Sequence, residues 1–392
     1  MTDFIGFGPN RRRSWIVSRC AVAIILVLGP ALGSAQESEP LDLTPACTSC
    51  VLEVEPLLSL SMEDEDVGPV LNVQAVALDA RGEVWIAYGN QAPIQRFDQT
   101  GGPVNTPRRV GEGPGEFVSP TALVPIGDSM AVFDQVLARV TILDHGFDVV
   151  RTLRIPSGTV RNVAIVEWPL VVVNALFSSP MEAGHAYHLL DLESGEVRAS
   201  FGGGADGNFS DMTRFRLRGH VAVDPERREI WTVAREEVRL ERWSFDGERI
   251  ETFVAAPSWF PGIDRAPRLG SPAVPPDPRI TGLQLNADGL WLILRVPAED
   301  WQAAWAGSAE EPEGPHGRSA TELPEMDRLY QGRLLLIDPD AGEVLATREL
   351  EASATGGPLV GGAGFYGFTN TAGLFPGLRI DGYRLSFREP RR

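Results

Sequence analysis

No lysine occurs anywhere in the 392 residues; all 35 basic side chains are arginine. A Schiff-base lysine is thereby excluded, and so is a P-loop, whose grip on phosphate depends on lysine. Histidine is nearly as scarce, with His145, His185, His188, His220 and His316 the whole supply. Cysteine is limited to Cys20, Cys47 and Cys50, too few to close a zinc site without other ligands. No apolar run reaches the roughly 20 residues that a membrane-spanning helix needs. Positive charge is in overall deficit, with a formal net charge of -18. Such a surface repels phosphate backbones and anionic membranes, so no nucleic-acid partner is expected.

What is present describes a folded, turn-rich chain. Hydrophobic residues make up 43% and charged residues 22%, the balance of a globular protein rather than a disordered one. The 41 glycines and 31 prolines suit many short strands. At the start, Arg11-Arg12-Arg13 precedes an apolar stretch from Cys20 to Leu28 and the small residues Ala31 to Ala35. This is the layout of a signal peptide spanning residues 1–35. The mature protein is therefore expected to be exported, periplasmic or extracellular, with no transmembrane anchor after cleavage. Arg12-Arg13 leaves both an ordinary basic leader and a twin-arginine one open.

Residues 36–70 read as an N-terminal extension. Cys47-Thr-Ser-Cys50 is followed by Val51 rather than histidine, so covalent haem attachment is unsupported. A local Cys47–Cys50 disulfide, suited to an oxidising compartment, is the expectation. Glu63 to Asp66 reads as a solvated acidic loop. Val51 to Leu60 reads as a strand able to complete a sheet at the far end of the chain.

From residue 71 to 389 the chain repeats itself. Asp98, Asp144, Asp191, Asp246, Asp338 and Asp381 each lead towards a glycine turn, at intervals of 43 to 55 residues except for one of 92. The long interval contains an insertion, Ala298 to Arg328. About four short apolar runs fill each interval. A lone sheet of this size cannot hide both faces, whereas radial packing against two neighbours hides them. The expected fold is all-β: a six-bladed β-propeller with four-stranded antiparallel blades.

The sharpest unit, Gly111-x-Gly-x-Gly-x-Phe117-x-x-Pro120 with Val132-x-Asp134, Arg139-Val140 and Leu143-Asp144-x-Gly146, resembles an NHL repeat. A partial match recurs at Gly202 to Phe209. The chain as a whole resembles exported bacterial six-bladed propellers built from such repeats. That resemblance implies the fold strongly and a function weakly, since propellers of this shape include both binders and enzymes.

On a propeller, loops between strands two and three share a face with the passages to the next blade. The three longest irregular segments, Leu176 to His185, Ala255 to Arg279 and Ala298 to Arg328, all fall on that face. Inner strands begin near Gln74, Thr121, Asn162, His220 and Thr281, with Arg161 and Arg279 alongside. Gln74, Arg161, Asn162, His220, Arg279 and Thr281 are therefore the candidate ligand-binding residues at the channel mouth. Trp259, Phe260, Trp301 and Trp305 sit on the long loops, where they either cap a pocket or fold back to cover their own loops. His185-x-x-His188 is not read as a metal pair, because positions three apart on a strand face opposite ways.

Two functions are compatible with these residues. One is a module that binds a small molecule, glycan or protein through the loop-rich face, without cofactor or metal. The alternative is a propeller hydrolase or lyase, lactonase-like, with its site at the channel mouth. Calcium would belong to that alternative, through Asn162 and carboxylates not identifiable in the sequence.

Overall fold

The computed structural model describes residues 38–61, 73–88, 94–104, 110–178, 184–203, 217–263, 268, 271, 273–305, 326–362, 364–370 and 378–389. The expected leader, the acidic run at 63–66, His316 and most of the 202–209 motif lie outside the described residues. So do parts of the three long loops.

Among the described residues, six antiparallel sheets follow one another along the chain. Blade one holds Val73–Leu78, Val84–Tyr88, Ile94–Phe97 and Pro103–Val104. Blade two runs from Pro120–Ile126 to Val149–Arg154 and blade three from Gly158–Glu167 to Val197–Phe201. Blade four runs from Gly219–Asp224 to Arg249–Ala255, and blade five from Arg279–Asn286 to Val344–Glu351. Blade six is assembled from both ends of the chain. Gly357–Pro358, Gly364–Asn370 and Leu378–Arg388 are joined on the outside by Val51–Ser61. Val51 lies opposite Arg388 and Ser61 opposite Arg379, so the ring closes by hydrogen bonds between distant segments. The inner strands of blades six and one are joined by the Ala77–Val360 bridge.

One turn expectation fails here. Asp381-Gly382 does not turn; both residues lie within the Leu378–Arg388 strand. The chain has no need to fold back at that point, because the fourth strand comes from the N-terminal segment. A Cβ on Gly382 would stand 2.6 Å from Leu58, at the irregularity where two residues of that outer strand face one.

The core is divided into wedges. Each of six buried clusters joins two adjacent blades: Trp85 and Leu123 between one and two, Val140 and Val173 between two and three, Leu189 and Ile230 between three and four. Trp231 and Leu292 fill the next wedge, Trp291 and Phe365 the fifth, and Ile86 and Ile380 the sixth. Trp85 is second, and Trp231 and Trp291 are third, in strand two of their blades, and all are fully buried.

The N-terminal extension is part of this architecture. Glu39–Pro40 adds a short parallel strand outside blade four. The amides of Ala46 and Cys47 then donate to Val344 and Leu345 on the outer edge of blade five. The Cys47–Cys50 disulfide turns the chain before it enters blade six. The extension thus straps three successive blades.

The glycine-rich stretch of blade two has a structural task. Asp134, fully buried, accepts from the amides of Val118, Ser119, Val136 and Leu137 at 2.7–3.1 Å. Arg139 donates to the carbonyls of Glu112 and Gly113 and to that of Glu116. The motif's charged pair therefore satisfies loop backbone that has no ladder partner.

Candidate functional site

The six candidate residues converge: Gln74, Arg161, Asn162, His220, Arg279 and Thr281 all line one cavity of about 290 Å³ at the channel mouth. The local cause is a repeated irregularity. The ladder between strands one and two skips a residue at Gln74, Thr121, Arg161 and Thr281. A bulge bends its strand and re-aims the extra side chain. Four blades thus each present one bulged residue to the mouth, while His220 holds the equivalent place in blade four without a bulge.

Three of the six are tied to neighbouring backbone. Asn162 Nδ2 donates to the Gly219 carbonyl at 3.1 Å, and its Oδ1 faces His220 Nδ1 at 3.3 Å. His220 Nε2 lies 3.2 Å from the Ile280 carbonyl. Burial, reinforced by the Arg235 charge, pushes His220 down to about 4. It is neutral at pH 7, a weak base whose single N–H has carbonyl oxygens of Ile280 and Asn162 within reach, and it joins blades three, four and five. Thr281 Oγ1 donates to Ile293 at 3.3 Å.

The dominant feature of the cavity was not drawn out from the sequence. Arg218, Arg235 and Arg295 join Arg161 and Arg279 in its wall, and among the described residues no aspartate or glutamate does. Burial and the Arg218 charge lower the Arg161 pKa. Burial with the charges of neighbouring arginines brings Arg235 and Arg295 down to about 10. Arg235 and Arg295 therefore remain cationic at neutral pH, and the arginines of the wall repel one another. Arg295 is fixed by Nε, which donates to Ala352 at 3.1 Å and to Thr355 at 3.0 Å. Arg279 lies over the Tyr330 ring at 4.9 Å. A signal was present in the sequence: Arg235 and Arg295 follow the uncharged runs Ile230 to Ala234 and Gly289 to Leu294 of second strands, and Arg218 stands just before an inner strand.

Calcium belongs only to the enzyme alternative, and this wall does not favour it: five guanidinium groups repel a divalent cation, and no carboxylate lines the cavity among the described residues. Glu236 lies 3.9 Å from Arg235, on the wall of a neighbouring groove of about 890 Å³ between blades three and four. Glu236 is 5% exposed, and neither carboxylate oxygen has a hydrogen-bond partner. Burial pushes its pKa up to about 7 against the pull of Arg235 and Arg218.

The loop aromatics divide. Phe260 is buried between blades four and five. Trp301 and Trp305 are buried with Leu329, Tyr330 and Ala352 under their own loop. Phe260 and Trp305 cover the loops that carry them, because their apolar area finds closer partners in the rim, while Trp301, though mostly buried, also lines a groove beside Trp259. Trp259 alone is half-exposed, beneath Arg333 at 4.6 Å, in a third groove. His188 is buried, bonded to Ser200 and Ala175, so it makes no metal pair with His185.

On the opposite face, Asp79, Glu83 and His145 bring three ligand-type atoms within 4.8 Å of one another, a group that the sequence did not reveal because His145 belongs to the next blade. Its oxygens already have partners. Asp79 accepts from the amides of Arg81 and Glu83 and from the Trp85 indole. Glu83 pairs with Arg96 at 3.1 Å and His145 at 2.9 Å, and Arg96 stacks on Trp85 and Phe147. A metal would have to displace this tie between blades one and two.

No family model matches the chain, and no curated protein matches it. Among solved structures, it is similar to a DUF4221 family member from Bacteroides vulgatus, at 10% identity and TM-score 0.55, over 86% of this chain and 99% of that one. A putative exported protein from Bacteroides fragilis is similar at 9% identity and TM-score 0.51, over 89% and 99%. A virginiamycin B lyase from Staphylococcus aureus aligns at 10% identity and TM-score 0.44, over 86% and 100%. At these identities the likeness is one of fold. Among the described residues no helix is long and apolar enough to cross a membrane.

Proposed function

We propose that this protein binds a small anionic molecule at the arginine-lined mouth of its channel. The observation that carries this reading is the five-arginine wall, with no aspartate or glutamate in it among the described residues, in a chain whose net charge is -18. Concentrated, mutually repelling cations are stabilised by an anion that satisfies several at once, and guanidinium forks suit carboxylate or phosphate oxygens. The cavity is recessed and small, which fits a metabolite-sized ligand rather than a nucleic-acid backbone.

Titration calorimetry with citrate and inorganic phosphate tests the reading. Binding that weakens with added salt, and at least tenfold on Arg235→Ala, is expected. Indifference to both anions, in wild type and variant alike, rejects it.

A second reading, the propeller hydrolase or lyase, is favoured by Glu236. A carboxyl poised at about 7 beside arginines is suited to move protons at neutral pH. Hydrogen–deuterium exchange at the carbon next to the carboxylate of a bound acid, abolished by Glu236→Gln with binding retained, would establish it. Exchange that persists in the variant removes Glu236 from that role.

We also propose that the protein acts outside the cytoplasm, on the strength of the leader-like residues 1–35, and that its repeats are of the NHL-like type, on the strength of the Gly111 to Gly146 motif. N-terminal sequencing of protein recovered from the expressing cells should read from Gln36; an intact Met1 contradicts the export part.

A further inference from the structure

The mouth cavity is polar on every side, but its charge is confined to one side. Arg161 comes from blade three, Arg218 and Arg235 from blade four, Arg279 and Arg295 from blade five. Blades one, two and six contribute Gln74, Thr121, Gln135, Gly356 to Pro358 and Tyr366, all uncharged; burial pushes the Tyr366 phenol up to about 12. A bare anion such as sulfate uses only the arginine side.

The uncharged side is built for hydrogen bonding. Gln74 and Thr121 are two of the bulged residues, turned to the mouth by the same ladder irregularity as Arg161. Thr121 is 5% exposed, and its buried hydroxyl has no hydrogen-bond partner among the described residues. A buried hydroxyl left unsatisfied bears its full desolvation penalty, which a ligand hydroxyl or carbonyl recovers. Gln135 is held by its Nε2, which donates to Ser119 at 2.8 Å; its amide thus has a fixed orientation beside Thr121. The cavity of about 290 Å³ holds roughly ten waters' worth of volume at ~30 Å³ each, enough for one sugar ring and an acid group.

Resting on the anion-binding reading, we infer that the ligand is a small hydroxylated acid. It is a sugar bearing one carboxylate or phosphate, with the acid group against the arginines of blades three to five and its hydroxyls against Thr121, Gln74 and Gln135. A ligand with its charge at one end and neutral donors at the other uses both halves of the wall. A dicarboxylate would leave one charge facing uncharged groups.

The test is calorimetry on the mature chain with glucuronate, glucose 6-phosphate, glucose, succinate and sulfate. At least one of the two sugar acids is expected to bind tenfold or more tightly than succinate and sulfate, with glucose weaker than either acid; which acid leads distinguishes carboxylate from phosphate. Thr121→Val, nearly isosteric, is expected to weaken the sugar acid three- to tenfold and leave sulfate unchanged. Succinate or sulfate binding as tightly as the sugar acids, or Thr121→Val without effect on them, overturns the inference while the anion site stands. Failure of all five to bind, with Arg235→Ala changing nothing, overturns the anion site itself.

Discussion

At the scale of single residues, Glu236 has the clearest consequence. Its carboxyl titrates near 7 in the folded protein, against 4.5 ordinarily, because burial disfavours the charge more than Arg235, Arg218 and Arg279 favour it. Below about pH 4.5 it is protonated in both folded and unfolded chains and contributes no pH dependence. Between 4.5 and 7 the unfolded chain releases the proton and the folded chain keeps it, so stability falls as pH rises through that window. Above 7 the penalty is constant. Glu236→Gln is therefore expected to stabilise the protein by up to about 3 kcal/mol at pH 8 and to be neutral near pH 4. Urea unfolding of both forms across that range measures the difference; a constant offset at every pH would show that burial does not control this group.

At the scale of elements, the decisive piece is Val51–Ser61. It supplies the entire outer strand of blade six, in register with Leu378–Arg388, and buries Leu52 and Leu60 in two different wedges. Its removal exposes a long strand edge and uncovers both clusters, which favours intermolecular pairing. A chain starting after Ser61 is expected to aggregate or to lose its cooperative thermal transition. Starting instead at Ala46 removes the short Glu39–Pro40 strand with Leu41 and Leu43 but keeps the outer strand of blade six, and is expected to lower Tm by a few degrees. Equal behaviour of the two truncations in circular dichroism melts would contradict this account of closure. The Cys47–Cys50 bridge closes too short a loop to supply more than about 2 kcal/mol.

At the scale of the whole molecule, stability is shared among wedges. No blade owns a core; each gives one face to each neighbour, and the described chain forms one compact unit, Glu37–Arg392. Loss of one wedge should therefore be felt around the ring. Trp231→Ala, between blades four and five, and Trp85→Ala, between one and two, are each expected to cost about 3–5 kcal/mol and to shift a single unfolding transition. Two separated transitions in either variant would mean that blades unfold independently.

Blade number and strand rhythm were legible in the sequence because each depends on local periodicity: apolar alternation, glycine at turns, and an interval near 46 residues. The starts of the inner strands were legible for the same reason, and with them Gln74, Arg161, Asn162, His220, Arg279 and Thr281. The Asp381-Gly382 misreading had a local cause too, since a turn-like dipeptide says nothing about a partner strand over 300 residues away. Only the tertiary structure decided that Arg218, Arg235 and Arg295 join the mouth, and that Asp79 and Glu83 meet His145. It also decided that Trp301 and Trp305 turn inward. Those meetings depend on which blade lies beside which and on where a ladder skips a residue. Spacing along the chain determines the elements; the electrostatic character of the cavity arises only when three blades turn their arginines to a common point.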